Sequence, residues 1–119
     1  MNNQQIADRL WQLVDQGNYD QAYDELFHPE VVAIEPQLSE MGLGEVTGIP
    51  AVKQKVAALA GGIGEIISRE MSSPIVSAKH IAFTNIVAAK GKDGSDINIS
   101  EICLYTVENG KIISEQFFY

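Results

Sequence analysis

The chain has little of several things. It contains one cysteine, Cys103, in 119 residues, so no disulfide forms within it and too few thiolates are present for a cysteine-based structural zinc site. A reducing compartment fits, and the expected location is cytoplasmic. No stretch approaches the ~18 consecutive apolar residues of a membrane span, and the start, Met-Asn-Asn-Gln-Gln, lacks the basic and apolar regions of a secretory signal. Basic residues are scarce: eight against sixteen acidic ones, scattered, for a net charge of −8. Repulsion from phosphate therefore argues against nucleic acid and against anionic membranes.

Motifs are scarce too. The two histidines, His28 and His80, form no HxH or HxxxH pair, and both fall at element boundaries, so no metal site is expected. GxSxG, P-loop and dinucleotide fingerprints are missing. The run Gly61-Gly62-Ile63-Gly64 lacks the lysine and the preceding strand that phosphate binding needs. No cofactor is implied.

What is there is a core. Hydrophobic residues make up 45% of the chain, an ordinary value for a globular protein, and this length suits one domain spanning residues 1–119. Ile6, Ala7, Leu10, Trp11, Leu13 and Val14 recur at helical spacing, predicting a helix from Asn3 to Gln16 capped by Gly17. A second helix starts at Asn18, with Gln21 as a capping-box partner, and carries Tyr19, Ala22, Tyr23, Leu26 and Phe27 until His28-Pro29 stops it. Val31 to Glu35 reads as a strand, and Gln37 to Gly48 as a loop bordering a site. Ile49-Pro50 opens a third helix with a buried stripe of Val52, Val56, Leu59 and Ala60, leaving Lys53 and Lys55 facing water.

From Ile63 onward the period changes to two. Ile66–Ala78, Ile81–Ala89, Asp96–Val107 and Lys111–Tyr119 read as four antiparallel strands, with Asp93-Gly94 and Asn109-Gly110 as tight turns. Three helices, a short strand and a long meander make an α+β domain, its curved antiparallel sheet wrapping the helices into a cone with an internal pocket. Alternation puts Glu101, Cys103, Tyr105, Glu115, Phe117 and Tyr119 on the concave face. The opposite face presents Ile102, Leu104 and Phe118, and no helix remains to cover it. A homodimer packed sheet to sheet is therefore expected.

Several runs, in this order, resemble the SnoaL-like and ketosteroid isomerase-like members of the nuclear transport factor 2 superfamily, whose fold is cystatin-like. They are Arg9 to Asn18, Ala33-Ile34-Glu35-Pro36, Gly48 to Val52, and Gly110 to Tyr119. Similarity to ketosteroid isomerase implies that Glu35, an acid before a proline on the first strand, acts as general base. The isomerase's oxyanion-hole tyrosine and protonated aspartic acid fall at Leu10 and Cys103, neither of which donates a comparable hydrogen bond. The resemblance therefore does not bring steroid isomerisation with it. Similarity to SnoaL-like cyclases implies an acid on a long central strand, in the region of Glu101.

Glu35, Glu101 and Glu115 are accordingly the candidate catalytic residues. Burial and mutual repulsion raise carboxyl pKa values, so one can be an ionised base while another stays protonated as an acid. Trp11, Tyr23, Cys103, Tyr105, Phe117 and Tyr119 are candidate ligand contacts for a small apolar or aromatic molecule, Tyr105 and Tyr119 as hydrogen-bond donors. Two functions remain open: cofactor-free acid–base catalysis of isomerase, cyclase or dehydratase type on a small carbonyl compound, or a non-catalytic small-molecule binding module.

Overall fold

The computed structural model describes residues 1–36 and 44–119. Helix α1 (Asn3–Asp15) opens with a reciprocal capping box between Asn2 and Gln5 and buries Ile6, Ala7, Leu10, Leu13 and Val14. It closes at Gly17, whose φ of 73° is the left-handed conformation that lets the chain reverse without a Cβ penalty. Helix α2 (Tyr19–Leu26) starts directly afterwards. Asn18 precedes it but makes no side-chain cap bond, so the capping box expected there is absent. Helix α3 (Ile49–Ala60) has its proline in the first turn, as expected.

Strand β1 (Phe27–Ile34) is longer than the sequence suggested and passes through Pro29. The proline falls where the β1 register shifts, between Phe27 and Val32, so its missing N–H breaks no regular ladder. The segment read as a loop contains a short strand, β2 (Glu45–Thr47), paired antiparallel with β1. The rest of that reading, residues 37–43, lies outside the described residues. The strand expected over Ile66–Ala78 is two strands, β3 (Ile63–Met71) and β4 (Ile75–Val76). Pro74 lies in the break, and the Ser72 hydroxyl accepts from the Thr84 N–H at 2.8 Å. Strands β5 (His80–Gly91), β6 (Asp96–Glu108) and β7 (Lys111–Phe118) complete the meander.

Hydrogen bonding orders the sheet β2-β1-β7-β6-β5-β3, with β4 also on β5, so β1 lies parallel to β7 and the outer strands do not close a barrel. Strand β6 has 13 residues, which at about 3.3 Å each accounts for the 43 Å long axis of the molecule. The helices cover only part of that length. Their apolar faces pack on Val31, Ala33, Ile81, Phe83, Cys103, Tyr105, Val107 and Ile112. Asn85, Val87 and Ile99 continue the same concave face outside that cluster.

Cys103 pairs with Phe117 and Tyr105 with Glu115, while Ile102 pairs with Phe118 and Leu104 with Gln116, so the two faces divide as alternation predicts. A register shift between Thr106 and Val107 lets both Ile112 and Glu115 point inward despite their odd spacing. On the convex face Ile102 and Phe118 are about half exposed. A groove of about 470 Å³ runs there past Ile75, Val76, Ala82 and Leu104.

Candidate functional site

The site is built around a lysine. Lys55 shares the buried stripe of α3 with Val52, three residues earlier and so one turn away. It is only 4% exposed, which corrects the reading of Lys55 as water-facing. Lys53, also placed in water, is half-buried and pairs with Asp24 at 2.8 Å. The expectation failed for Lys55 because a charge at a core position is tolerated only when partners await it, and these come from distant strands. Its Nζ lies 2.8 Å from Glu35 Oε1 and 3.5 Å from Glu115 Oε1, and 4.8 Å from the centre of the Phe117 ring.

Glu35 and Glu115 are 7% and 2% exposed. The Tyr23 hydroxyl donates to Glu115 Oε1 at 2.7 Å and the Tyr119 hydroxyl to Glu35 Oε2 at 3.0 Å. Burial raises the Glu115 pKa, against Lys55 and Tyr23, which lower it. Burial, reinforced by Glu115, holds the Tyr23 hydroxyl well above the usual phenol range. Glu115 thus sits behind Lys55, in the core.

Glu35 instead follows the last residue of β1 and lines an open groove of about 410 Å³ with Ile34, Pro36, Gln116, Phe117, Phe118 and Tyr119. One oxygen is fixed by the buried ammonium. The other accepts from Tyr119, which is 58% exposed.

Glu101 belongs to a second cluster. It faces Asn85 across the β5–β6 ladder and accepts from Asn85 Nδ2 at 3.0 Å, with Cys103 Sγ 3.7 Å from the same oxygen. Burial raises the Glu101 pKa against the pull of Asn85, and the Glu35 charge adds to the rise. The Cys103 thiol is pushed up by burial and then by Glu101, making it an inert core sulfur at neutral pH. Next to this cluster Arg69 donates through Nη1 to the Val14 carbonyl and lies 5.9 Å from the centre of the Tyr19 ring. Asn85 Oδ1 and Arg69 Nε are buried and have no partner among the described residues. Each such orphan costs about 1–3 kcal/mol, which asks for an explanation.

The remaining candidates separate. Tyr105 is enclosed by Phe27, Phe83 and Phe117 as an aromatic core. Trp11 spends its indole N–H on the Ser72 carbonyl at 2.9 Å. His28 accepts from the Glu30 N–H, and both histidines are exposed. Among the described residues no three His, Cys, Asp or Glu side chains gather as metal ligands would. Sequence reasoning missed Lys55, Arg69 and Asn85. Asn85 did carry a signal, as the one polar member of the buried series Ile81, Phe83, Asn85, Val87, Ala89.

Comparison with known proteins agrees with this architecture. The family model for the SnoaL-like domain matches residues 1–119. Among solved structures, a provisionally named SnoaL-like polyketide cyclase (carbohydrate phosphatase) from Mesorhizobium loti is 25% identical over 100% of both chains, with a TM-score of 0.88. TerC, co-crystallised with polyporic acid, is 14% identical over 98% of this chain and 90% of its own, with a TM-score of 0.78. A hypothetical protein with a ketosteroid isomerase-like fold from Catenulispora acidiphila, in complex with trimethylamine, is 14% identical over 95% of this chain and 84% of its own, with a TM-score of 0.73. No curated protein matches the sequence. With a cone of three helices inside a curled sheet, and a family model that matches it from end to end, the chain belongs to the SnoaL-like domain family.

Proposed function

We propose that the chain, acting as one domain over residues 1–119, binds a small, flat, apolar carbonyl compound in the groove beside Glu35 and moves a proton on it without a cofactor. One observation carries this reading: Glu35 has one oxygen pinned by a buried ammonium at 2.8 Å and the other turned to a groove, where it accepts from the phenol of a mostly exposed tyrosine. A ligand can displace that phenol. In the step, a C–H bond next to the carbonyl breaks, the proton goes to Glu35 Oε2, and the electron pair moves onto the carbonyl oxygen as an enolate. The released Tyr119 hydroxyl is then in reach to donate to that oxygen. Glu101, half-buried with a raised pKa, suits the return of a proton. Glu115 and Tyr23 act as positioning residues that hold Lys55 in place.

The relatives crystallised with polyporic acid and with trimethylamine support a small-ligand role. The proposal excludes nucleic acid and membrane as partners. It places the protein in the cytoplasm as a homodimer through Ile102, Leu104 and Phe118, and the exposure of Ile102 and Phe118 supports a covered face. No helix among the described residues is long and apolar enough to cross a membrane.

The alternative, a binding module without turnover, is favoured by the closed Lys55–Glu115–Tyr23 network and by Leu10 and Cys103 at the positions where an isomerase has donors. Incubation with cyclic ketones in D2O separates the two. Protein-dependent deuteration next to the carbonyl, reduced about 100-fold or more in Glu35→Gln, supports catalysis; saturable binding with no exchange supports the module.

A further inference from the structure

The two orphaned atoms belong to side chains that the sheet register makes neighbours. Asn85 is opposite Met71 on β3, and Arg69 is opposite Val87, two residues along β5. Asn85 and Arg69 are therefore diagonal partners on the concave face, with Cα atoms about 7–8 Å apart. Both side chains are held. Asn85 is 6% exposed and donates to Glu101, and the Arg69 guanidinium is fixed by the Val14 carbonyl and the Tyr19 ring. The Asn85 amide nitrogen is the group facing Glu101, so Oδ1 is the acceptor left without a partner. Arg69 Nε–H is the free donor.

An acceptor and a donor on diagonal residues of one face, both buried, complement a group carrying an O–H and a neighbouring oxygen acceptor. Val87 and Ile99, paired across the same face, offer apolar surface next to it. None of these residues lines the groove at Glu35.

We infer that Asn85 and Arg69 form a head-group subsite for an α-hydroxy ketone or enolised dicarbonyl compound. Its hydroxyl donates to Asn85 Oδ1 and its carbonyl oxygen accepts from Arg69 Nε. A simple ketone satisfies Arg69 alone and leaves the Asn85 acceptor buried and unpaired, so the site discriminates by what it would otherwise leave unsatisfied. The inference rests on the reading of the concave face as a small-molecule site, and is independent of proton transfer by Glu35.

The test is calorimetric or NMR titration of the full chain with 2-hydroxycyclohexanone and with cyclohexanone. The hydroxy ketone should bind about tenfold tighter or more, and both Asn85→Leu and Arg69→Met should bring the ratio close to one. Arg69→Lys, which keeps the charge and loses Nε, should do the same with less disturbance to the fold. Equal affinities in the unmodified protein, no binding of either compound, or a ratio that survives in Arg69→Lys would overturn the subsite. So would a crystal structure with the hydroxy ketone bound elsewhere and a fixed water joining the two atoms. Deuteration of cyclohexanone is read separately, so loss of catalysis and loss of this subsite give different results.

Discussion

Lys55 holds together more of the site than any other side chain. Its ammonium stands between two carboxylates and under an aromatic ring, with almost no water contact. Removing one member of such a group leaves the others charged and unpaired in the interior, which typically destabilises by about 3–5 kcal/mol. Lys55→Met should show a loss of that order in chemical denaturation, and adding Glu35→Gln should recover part of it, because one stranded charge is then gone. A loss under about 1 kcal/mol would mean that water reaches the cluster.

The carboxyl groups also give stability a sign with pH. Glu101 and Glu115 have folded pKa values raised above the ordinary 4.5, so the folded chain holds their protons more tightly than the unfolded chain does. The stability they contribute is complete below about pH 4.5 and is lost as pH rises through their folded values. Glu101→Gln should therefore flatten the decline in stability between pH 4.5 and neutrality in urea titrations. Glu25, hydrogen-bonded by Arg9 and held down to about 2, acts in the opposite sense, and only at lower pH.

At the scale of elements, the final hairpin positions half of the cluster. Its turn places Asn109 at φ 51° and Gly110 at φ 75°, a left-handed pair suited to a two-residue connection. A Cβ at Gly110 would meet nothing within 4 Å, so Gly110→Ala tests conformation alone. It should cost about 1–2 kcal/mol while leaving the Tyr105–Glu115 register intact, as seen in the thermal midpoint and in amide chemical shifts.

This hairpin was legible because alternation and the Asn-Gly turn are local signals, and they put Glu101, Cys103, Tyr105, Glu115 and Phe117 on one face correctly. The splitting of β3 from β4 and the passage of β1 through Pro29 depend on which neighbour supplies or forgoes each hydrogen bond, which is a property of the assembled sheet. The same is true of Lys55 and Arg69. The helical stripe could have flagged Lys55 as odd, but only strands β1 and β7, once folded over α3, explain why a charge is tolerated there.

At the scale of the molecule, two faces of one sheet have separate proposed tasks. The convex side leaves Ile86, Ile102 and Phe118 about half exposed, and contiguous exposed apolar side chains are what a contact between chains would cover. Leu104→Asp would bury a charge in the proposed contact and should convert a sedimenting dimer to monomer; an unchanged dimer would place the interface elsewhere. The concave side carries the central claim, that Glu35 is the base of a proton-transfer site held in place by Lys55. The most direct measurement is deuterium uptake next to the carbonyl of a panel of small cyclic ketones in D2O, comparing the unmodified protein with Glu35→Gln by NMR. The account predicts protein-dependent uptake for at least one ketone and its reduction by about 100-fold or more in the variant. Uptake at the same rate in both proteins would contradict it.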